Sequence, residues 1–76
     1  MDKITEIVTR IFKVPAEAVS PLMSPETTPS WDSMNYLLLV SELERVLAVQ
    51  FTMDEVMGVK TLGDIINLLR GKRISL

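Results

Sequence analysis

All four prolines of this 76-residue chain lie between residues 15 and 29, and this clustering constrains the fold more than any other feature. Proline lacks a backbone donor and clashes with the preceding helical turn, so a regular helix cannot continue through the segment. Serines and threonines between the prolines favour turns. The sequence therefore predicts a long loop at about residues 14–32, held to the core by the apolar side chains Val19, Leu22 and Met23.

Helical periodicity is present on both sides of this loop. Residues 2 to about 13 repeat apolar side chains at the i, i+3, i+4 and i+7 spacing of one helix face, which predicts an amphipathic helix. Those side chains are Ile4, Ile7, Val8, Ile11 and Phe12. Residues 33 to about 48 contain no proline or glycine, so they predict a second helix of about four turns.

A short third helix is predicted from two capping patterns. Thr52 and Glu55 have the spacing of a capping box, in which each side chain bonds to the backbone N–H of the other residue. Phe51 and Val56 have the spacing of a hydrophobic staple, which packs across a helix start. A helix at about residues 53–58 follows from these patterns.

The remaining residues predict one more helix and complete the fold. Thr61 is placed to cap a last helix at about residues 62–70, and residues 71–76 form a tail. No strand pattern competes with these segments. The prediction is an all-α fold, a four-helix bundle of three longer helices plus a short third helix, with a long loop between helices 1 and 2. We expect a single domain over residues 1–76.

The second helix has a broad apolar arc and a polar face. The arc contains Tyr36, Leu37, Leu39, Val40, Leu43, Val46 and Leu47. We expect Leu43 and Leu47 to lie on its buried face, opposite Ile7, Ile11 and Ile65. Met34 and Leu38 fall on the polar side, with Arg45 about two turns beyond them.

Composition excludes several classes of function. The chain has no histidine and no cysteine, so conventional acid-base catalysis and a metal site are not expected, and we predict a protein that is not an enzyme. Residues 1–66 hold all ten acidic residues and five of the eight basic ones, a balance of −5 that disfavours nucleic acid. No apolar run is long enough to span a membrane, so a cytoplasmic location is the expectation. We also expect a monomer.

The junction Trp31-Asp32-Ser33-Met34 is the main candidate for chemistry. A serine at a helix start places its hydroxyl at the positive end of the helix dipole, where an attached phosphate is favoured. The alternative is that Asp32 and Ser33 are ordinary N-cap residues.

The wider pattern resembles the acyl carrier protein family over nearly the whole chain. The resemblance is carried by the triplet Asp32-Ser33-Met34 and by the residues that follow it in the pattern, which are Leu37, Val40, Leu43, Glu44 and Phe51. The resemblance implies a 4′-phosphopantetheine group from coenzyme A on Ser33, with Asp32 as a flanking motif residue. The group would tether acyl intermediates as thioesters and present them to biosynthetic enzymes. The implied partners are a phosphopantetheinyl transferase and the enzymes that load and process acyl or aminoacyl cargo.

Two departures from the family pattern indicate a specialised pathway. Many carriers of fatty-acid synthesis have a leucine-glycine pair before the triplet, where this chain has Pro29-Ser30-Trp31. Residues 34–48 also contain few acids. An acyl or polyketide-like pathway is therefore favoured over housekeeping fatty-acid synthesis. The alternatives are an aminoacyl or peptidyl carrier, and a small helical adaptor without a prosthetic group.

Met34, Leu38 and Arg45 are the candidate partner-binding residues. Met34 and Leu38 are four residues apart on one helix face beside Ser33, so they can form an adaptable apolar patch. Arg45 on the same face would add charge selectivity.

Overall fold

The computed structural model describes residues 2–74. Within that range the chain forms four α-helices and a short 3₁₀ turn, and no strand. The helices are α1 (Asp2–Phe12), α2 (Ser33–Leu47), α3 (Met53–Gly58) and α4 (Leu62–Gly71), and the 3₁₀ turn is Ala16–Ala18. The predicted all-α class with four helices, the third of them short, is confirmed.

The observed helix bounds lie within one residue of the sequence-based ones. α1 and α2 each end one residue earlier, and α4 ends one residue later. Met1 and the last two residues of the predicted tail, Ser75 and Leu76, lie outside the described residues. No helix within residues 2–74 is long and apolar enough to cross a membrane.

Three of the helices begin at side chains that accept backbone hydrogen bonds. Asp32 caps α2. Thr52 caps α3, where its hydroxyl accepts from the Glu55 N–H at 3.1 Å while the Glu55 carboxylate accepts from the Thr52 N–H at 2.9 Å. Thr61 caps α4 in the same way with Asp64. Each cap satisfies amide donors that the first helical turn leaves without a partner.

The core lies where α1, α2 and α4 pack together. Leu43 is fully buried, and Ile7 and Ile65 are buried with it in one apolar cluster. Ile11 and Leu47 are partly buried at the edge of that cluster. The side chains expected to meet between these helices therefore belong to the same core.

The loop between α1 and α2 is tied to the start of α4. The Leu62 N–H donates to the Met23 carbonyl at 2.9 Å, and the Gly63 N–H donates to the Pro21 carbonyl at 2.8 Å. A Cβ at Gly63 would lie 3.1 Å from the Pro21 oxygen, so glycine permits this close approach. Met23 is buried, but Leu22, between two residues bonded to α4, projects outward and is 82% exposed. The expectation that Leu22 holds the loop to the core is wrong.

The apolar arc of α2 is narrower than its sequence suggests. Leu37 is 57% exposed and Val46 is 37% exposed, although both were placed on the arc that contains Leu43. Leu37 is six residues from Leu43, which is about 120° around an α-helix. At that angle a side chain lies beside the core, so burial depends on whether a neighbouring helix covers it.

The short helix α3 is held by polar contacts at two neighbouring residues, Glu55 and Val56. The Tyr36 hydroxyl of α2 donates to the Val56 carbonyl at 2.6 Å. Burial, with a contribution from the Asp64 charge, raises the pKa of Tyr36, so this hydroxyl stays a donor at neutral pH. At the preceding residue, Lys72 Nζ lies 3.0 Å from the Glu55 carboxylate. No side chain of α3 is fully buried, so these contacts hold the helix in place.

The first prediction concerns the core. Leu43→Ala should lower the free energy of unfolding by about 2–5 kcal/mol, because it removes a fully buried side chain and leaves a cavity. The matched control is Leu37→Ala, the same change at an exposed position of α2, which should cost much less. Thermal and urea unfolding measure both. Equal losses in the two variants would contradict this placement of Leu43.

The second prediction concerns α3. Its amides should exchange faster than those of the longer helices, because few buried contacts protect them. Tyr36→Phe keeps the ring and removes one hydrogen bond, so α3 amides should exchange roughly 2- to 12-fold faster still, corresponding to about 0.5–1.5 kcal/mol. Amides of α1 in the same sample are the control. Unchanged exchange in α3 would show that the Tyr36 hydroxyl does not stabilise it.

Candidate functional site

The loop meets α2 at a capped helix start. Asp32 Oδ1 accepts from the Asn35 N–H at 2.8 Å, and the Asp32 carbonyl accepts from the Tyr36 N–H at 2.8 Å. Asp32 is thus the N-cap, and Ser33 is the first helical residue. The alternative in which Ser33 caps the helix does not hold, because Asp32 occupies that position.

Ser33 is exposed, and the polar groups around its hydroxyl can accommodate an attached anionic group. Its hydroxyl makes no hydrogen bond within residues 2–74, and the N–H groups of Ser33 and Met34 have no acceptor there. These donors lie at the positive end of the α2 dipole, where a phosphate oxygen is stabilised. The residues present therefore fit a phosphodiester on the Ser33 oxygen.

Beneath this junction, Trp31 is buried between two aromatic rings. Its ring centroid lies 5.3 Å from that of Phe12 in α1 and 5.9 Å from that of Tyr36 in α2, the latter pair stacked. Trp31 precedes the N-cap and Tyr36 is the fourth residue of the helix, which is the spacing of a hydrophobic staple. The same spacing predicted α3 from Phe51 and Val56, whereas the structural role of Trp31 was not predicted from the sequence.

Asn35 is a second residue that the sequence analysis missed. Its side-chain Nδ2 donates to the Ser30 carbonyl at 2.9 Å, and its backbone N–H is the one that Asp32 accepts. Asn35 therefore bonds to the chain on both sides of Trp31. The sequence signal was an amide side chain at the third helical position, where capping boxes usually have Glu or Gln.

The outward face of α2 beside Ser33 is apolar. Met34 is 73% exposed and Leu38 is 50% exposed, where the sequence placed them, and the exposed Leu37 extends the same face. Arg45 is also exposed, about two turns further along the helix. The structure thus places Met34 and Leu38 beside Ser33, with Arg45 at the far end of the face.

Arg45 takes part in a three-residue ion-pair network. The Glu42 carboxylate lies 2.9 Å from Arg45 in α2 and 2.6 Å from Arg10 in α1. The hydrogen bond from Arg45, supported by both guanidinium charges, lowers the pKa of Glu42 to about 2. The other acid of α2, Glu44, accepts from the Phe51 N–H at 2.9 Å. Both acids of α2 are therefore paired with other residues of the chain.

Comparisons with known proteins agree with this geometry. The family profile described as phosphopantetheine attachment site matches residues 2–69. A solved structure from Mycobacterium tuberculosis, provisionally named an acyl carrier protein, superimposes with a TM-score of 0.83 at 18% identity, over 93% of this chain and 95% of that one. At that identity the similarity shows the shared fold. No curated protein sequence matches this chain significantly.

The family match covers nearly all of the described residues, from the start of α1 to the last turn of α4. Domains of this family are sites of covalent 4′-phosphopantetheine attachment, and they carry cargo for other enzymes without being catalytic themselves. The four-helix architecture agrees with that of an acyl carrier protein. The chain therefore belongs to the phosphopantetheine-attachment family of acyl carrier-like proteins.

Proposed function

We propose that this protein carries acyl intermediates on a 4′-phosphopantetheine arm attached to Ser33 and presents them to biosynthetic enzymes. The observation that carries the proposal is the exposed Ser33 hydroxyl at the first position of α2, inside the matched residues 2–69. When bound, the arm supplies a thiol on which acyl groups are held as thioesters.

Ser33 acts in arm attachment as the nucleophile that a transferase activates. Its oxygen forms a bond to the pantetheine-bearing phosphorus of coenzyme A, the pyrophosphate bond breaks, and adenosine 3′,5′-bisphosphate leaves. The hydroxyl proton passes to a base of the transferase, because no group within residues 2–74 bonds to this hydroxyl. Asp32 contributes by capping the helix, which keeps Ser33 in the first turn.

The pathway we propose is a specialised acyl or polyketide-like one. Two features support this. The segment before the triplet is Pro29-Ser30-Trp31, and the two acids of α2, Glu42 and Glu44, are engaged with other residues of the protein. An enzyme that recognises many free carboxylates on a carrier helix would find few here.

An aminoacyl or peptidyl carrier is the second candidate, since it would use the same serine on the same bundle. The natural loading enzyme separates the two candidates, because an acyl-transferring enzyme and an amino-acid-activating enzyme deliver different cargo to the same thiol.

Partner enzymes are proposed to dock on Met34, Leu38 and Arg45, with Leu37 added by the structure. An enzyme that reaches the Ser33 oxygen must approach side chains within one helical turn of it. Met34, Leu37 and Leu38 are exposed and follow Ser33 within about one and a half turns, so they can pack against such an enzyme, and methionine adapts to surfaces of different shape. Arg45 remains exposed despite its ion pair, so it can contact an acidic side chain of a partner.

The third prediction concerns the attachment site. Ser33→Ala should abolish the mass gain of one phosphopantetheine after incubation with coenzyme A and a broad-specificity transferase. Since Asp32 supplies the cap, the free energy of unfolding of the variant should lie within about 0.5 kcal/mol of that of the natural protein. Intact-mass spectrometry and circular dichroism measure the two effects.

The matched control for this experiment is Ser41→Ala, which changes another exposed serine of α2 and should leave attachment intact. If Ser33→Ala still gains the arm, another residue is the site. If the natural protein gains no mass, the chain is an adaptor without a prosthetic group.

The fourth prediction concerns docking. Leu38→Glu should change the free energy of unfolding by less than about 0.5 kcal/mol, as substitutions at exposed positions usually do. It should lower kcat/KM for arm attachment about five-fold or more, which corresponds to the loss of about 1 kcal/mol at an interface. The control is Leu22→Glu, the same change at an exposed loop position beside the start of α4. Equal rates for the two variants would argue against this docking surface.

A further inference from the structure

We infer that Asn35 is a positioning residue for arm attachment. Its side-chain amide holds the chain that leads into α2, and Ser33 is thereby presented to the transferase in one geometry. The inference rests on the proposed role of Ser33 as the attachment site.

Asn35 closes the junction with two hydrogen bonds that point to different parts of the chain. Its backbone N–H donates to Asp32 Oδ1 at 2.8 Å, and its side-chain Nδ2 donates to the Ser30 carbonyl at 2.9 Å. The four residues from Trp31 to Met34 lie between the two atoms joined by the second bond. Ser33 is therefore part of a short closed segment, and the position of its oxygen depends on that segment.

The capping boxes of α3 and α4 show how Asn35 differs from an ordinary capping residue. In those helices the third residue, Glu55 or Asp64, accepts a hydrogen bond from the backbone N–H of its N-cap. Asn35 occupies the same position in α2, but it donates, and it does so to a residue before the N-cap. The cap itself is already supplied by Asp32. The helix start is therefore capped without the Asn35 side chain. The Asn35 amide instead fixes the orientation of the chain that leads into α2.

The Asn35 amide acts beside other contacts of the junction: the Trp31 N–H donates to the Thr28 carbonyl at 2.9 Å, whereas the Ser30 carbonyl accepts from Asn35. Trp31 is fixed from below, since it is buried and packs against Phe12 and Tyr36. On the outer side, Ser33 is exposed and its side chain has no hydrogen bond within residues 2–74 that would hold it. Displacement of a reacting atom by about 1 Å can slow a reaction by up to about 100-fold, so a loosened junction should act on the chemical step.

The decisive variant is Asn35→Asp, which keeps the shape of the side chain but replaces the donor by an oxygen that repels the Ser30 carbonyl. The hydrogen bond from the backbone N–H to Asp32 is unaffected, and the helix dipole stabilises a negative charge in the first helical turn. The lost hydrogen bond to the Ser30 carbonyl opposes this gain, so the thermal stability should change little. With coenzyme A and a broad-specificity transferase, kcat for arm attachment should fall roughly 5- to 50-fold, while KM changes less than about three-fold.

Three further variants separate positioning from other effects. Asn35→Ala removes the donor without adding charge, so its kcat should fall as well. Asn35→Gln keeps an amide donor and should recover part of the loss. Asn67→Asp makes the same chemical change at an exposed position of α4 and should leave both kinetic constants unchanged.

The outcomes distinguish this inference from the proposed function. If the natural protein gains no arm, the proposed function fails and the inference fails with it. If the natural protein is modified but Asn35→Asp and Asn35→Ala keep its kcat, only the role of Asn35 is overturned. A rise in KM at constant kcat would assign Asn35 to docking. A fall in kcat that merely follows lost thermal stability would assign it to folding, and either result overturns the inference.

Discussion

The packing of Trp31 between Phe12 and Tyr36 is the contact on which the rest of the structure depends. It joins α1, the loop and α2 at one place, directly below the helix start. Tyr36 extends this connection, because its hydroxyl donates to the Val56 carbonyl and holds α3 against α2. The loop contains all four prolines and forms one short 3₁₀ turn, Ala16–Ala18, but no α-helix. A large buried aromatic side chain at its end compensates, since it contributes much apolar area from a single residue.

The proposed attachment site, Ser33, lies on the outer side of the same junction, which contains little chemistry of its own. Asp32 caps the helix, Asn35 holds the Ser30 carbonyl, and Ser33 remains exposed with free amide donors beside it. This arrangement suits a residue that another enzyme modifies. A self-activated nucleophile would need a base within hydrogen-bond distance. A carrier needs only an accessible hydroxyl in a fixed position.

The two acids of α2 are paired with other residues of the chain, which the sequence of the helix alone does not show. Glu42 is held between Arg10 and Arg45, and Glu44 bonds to the backbone at Phe51. The acids of the helix are therefore paired with other residues of the chain, while Arg45 keeps an exposed guanidinium. The exposed face of α2 near Ser33 is apolar, so the docking proposed above would depend on shape and apolar contact more than on attraction between free charges.

The sequence by itself determined the helices and their order, because proline exclusion, apolar spacing and capping pairs such as Thr52 with Glu55 act over a few residues. It also placed Ser33 at the start of α2. Only the tertiary structure decided which apolar side chains are covered: Leu37 and Leu22 are exposed, whereas Trp31 is buried. Burial of a side chain depends on which elements pack against it in the folded protein. The local sequence does not specify this for residues of the proline-containing loop or for residues at the edge of the apolar arc of a helix.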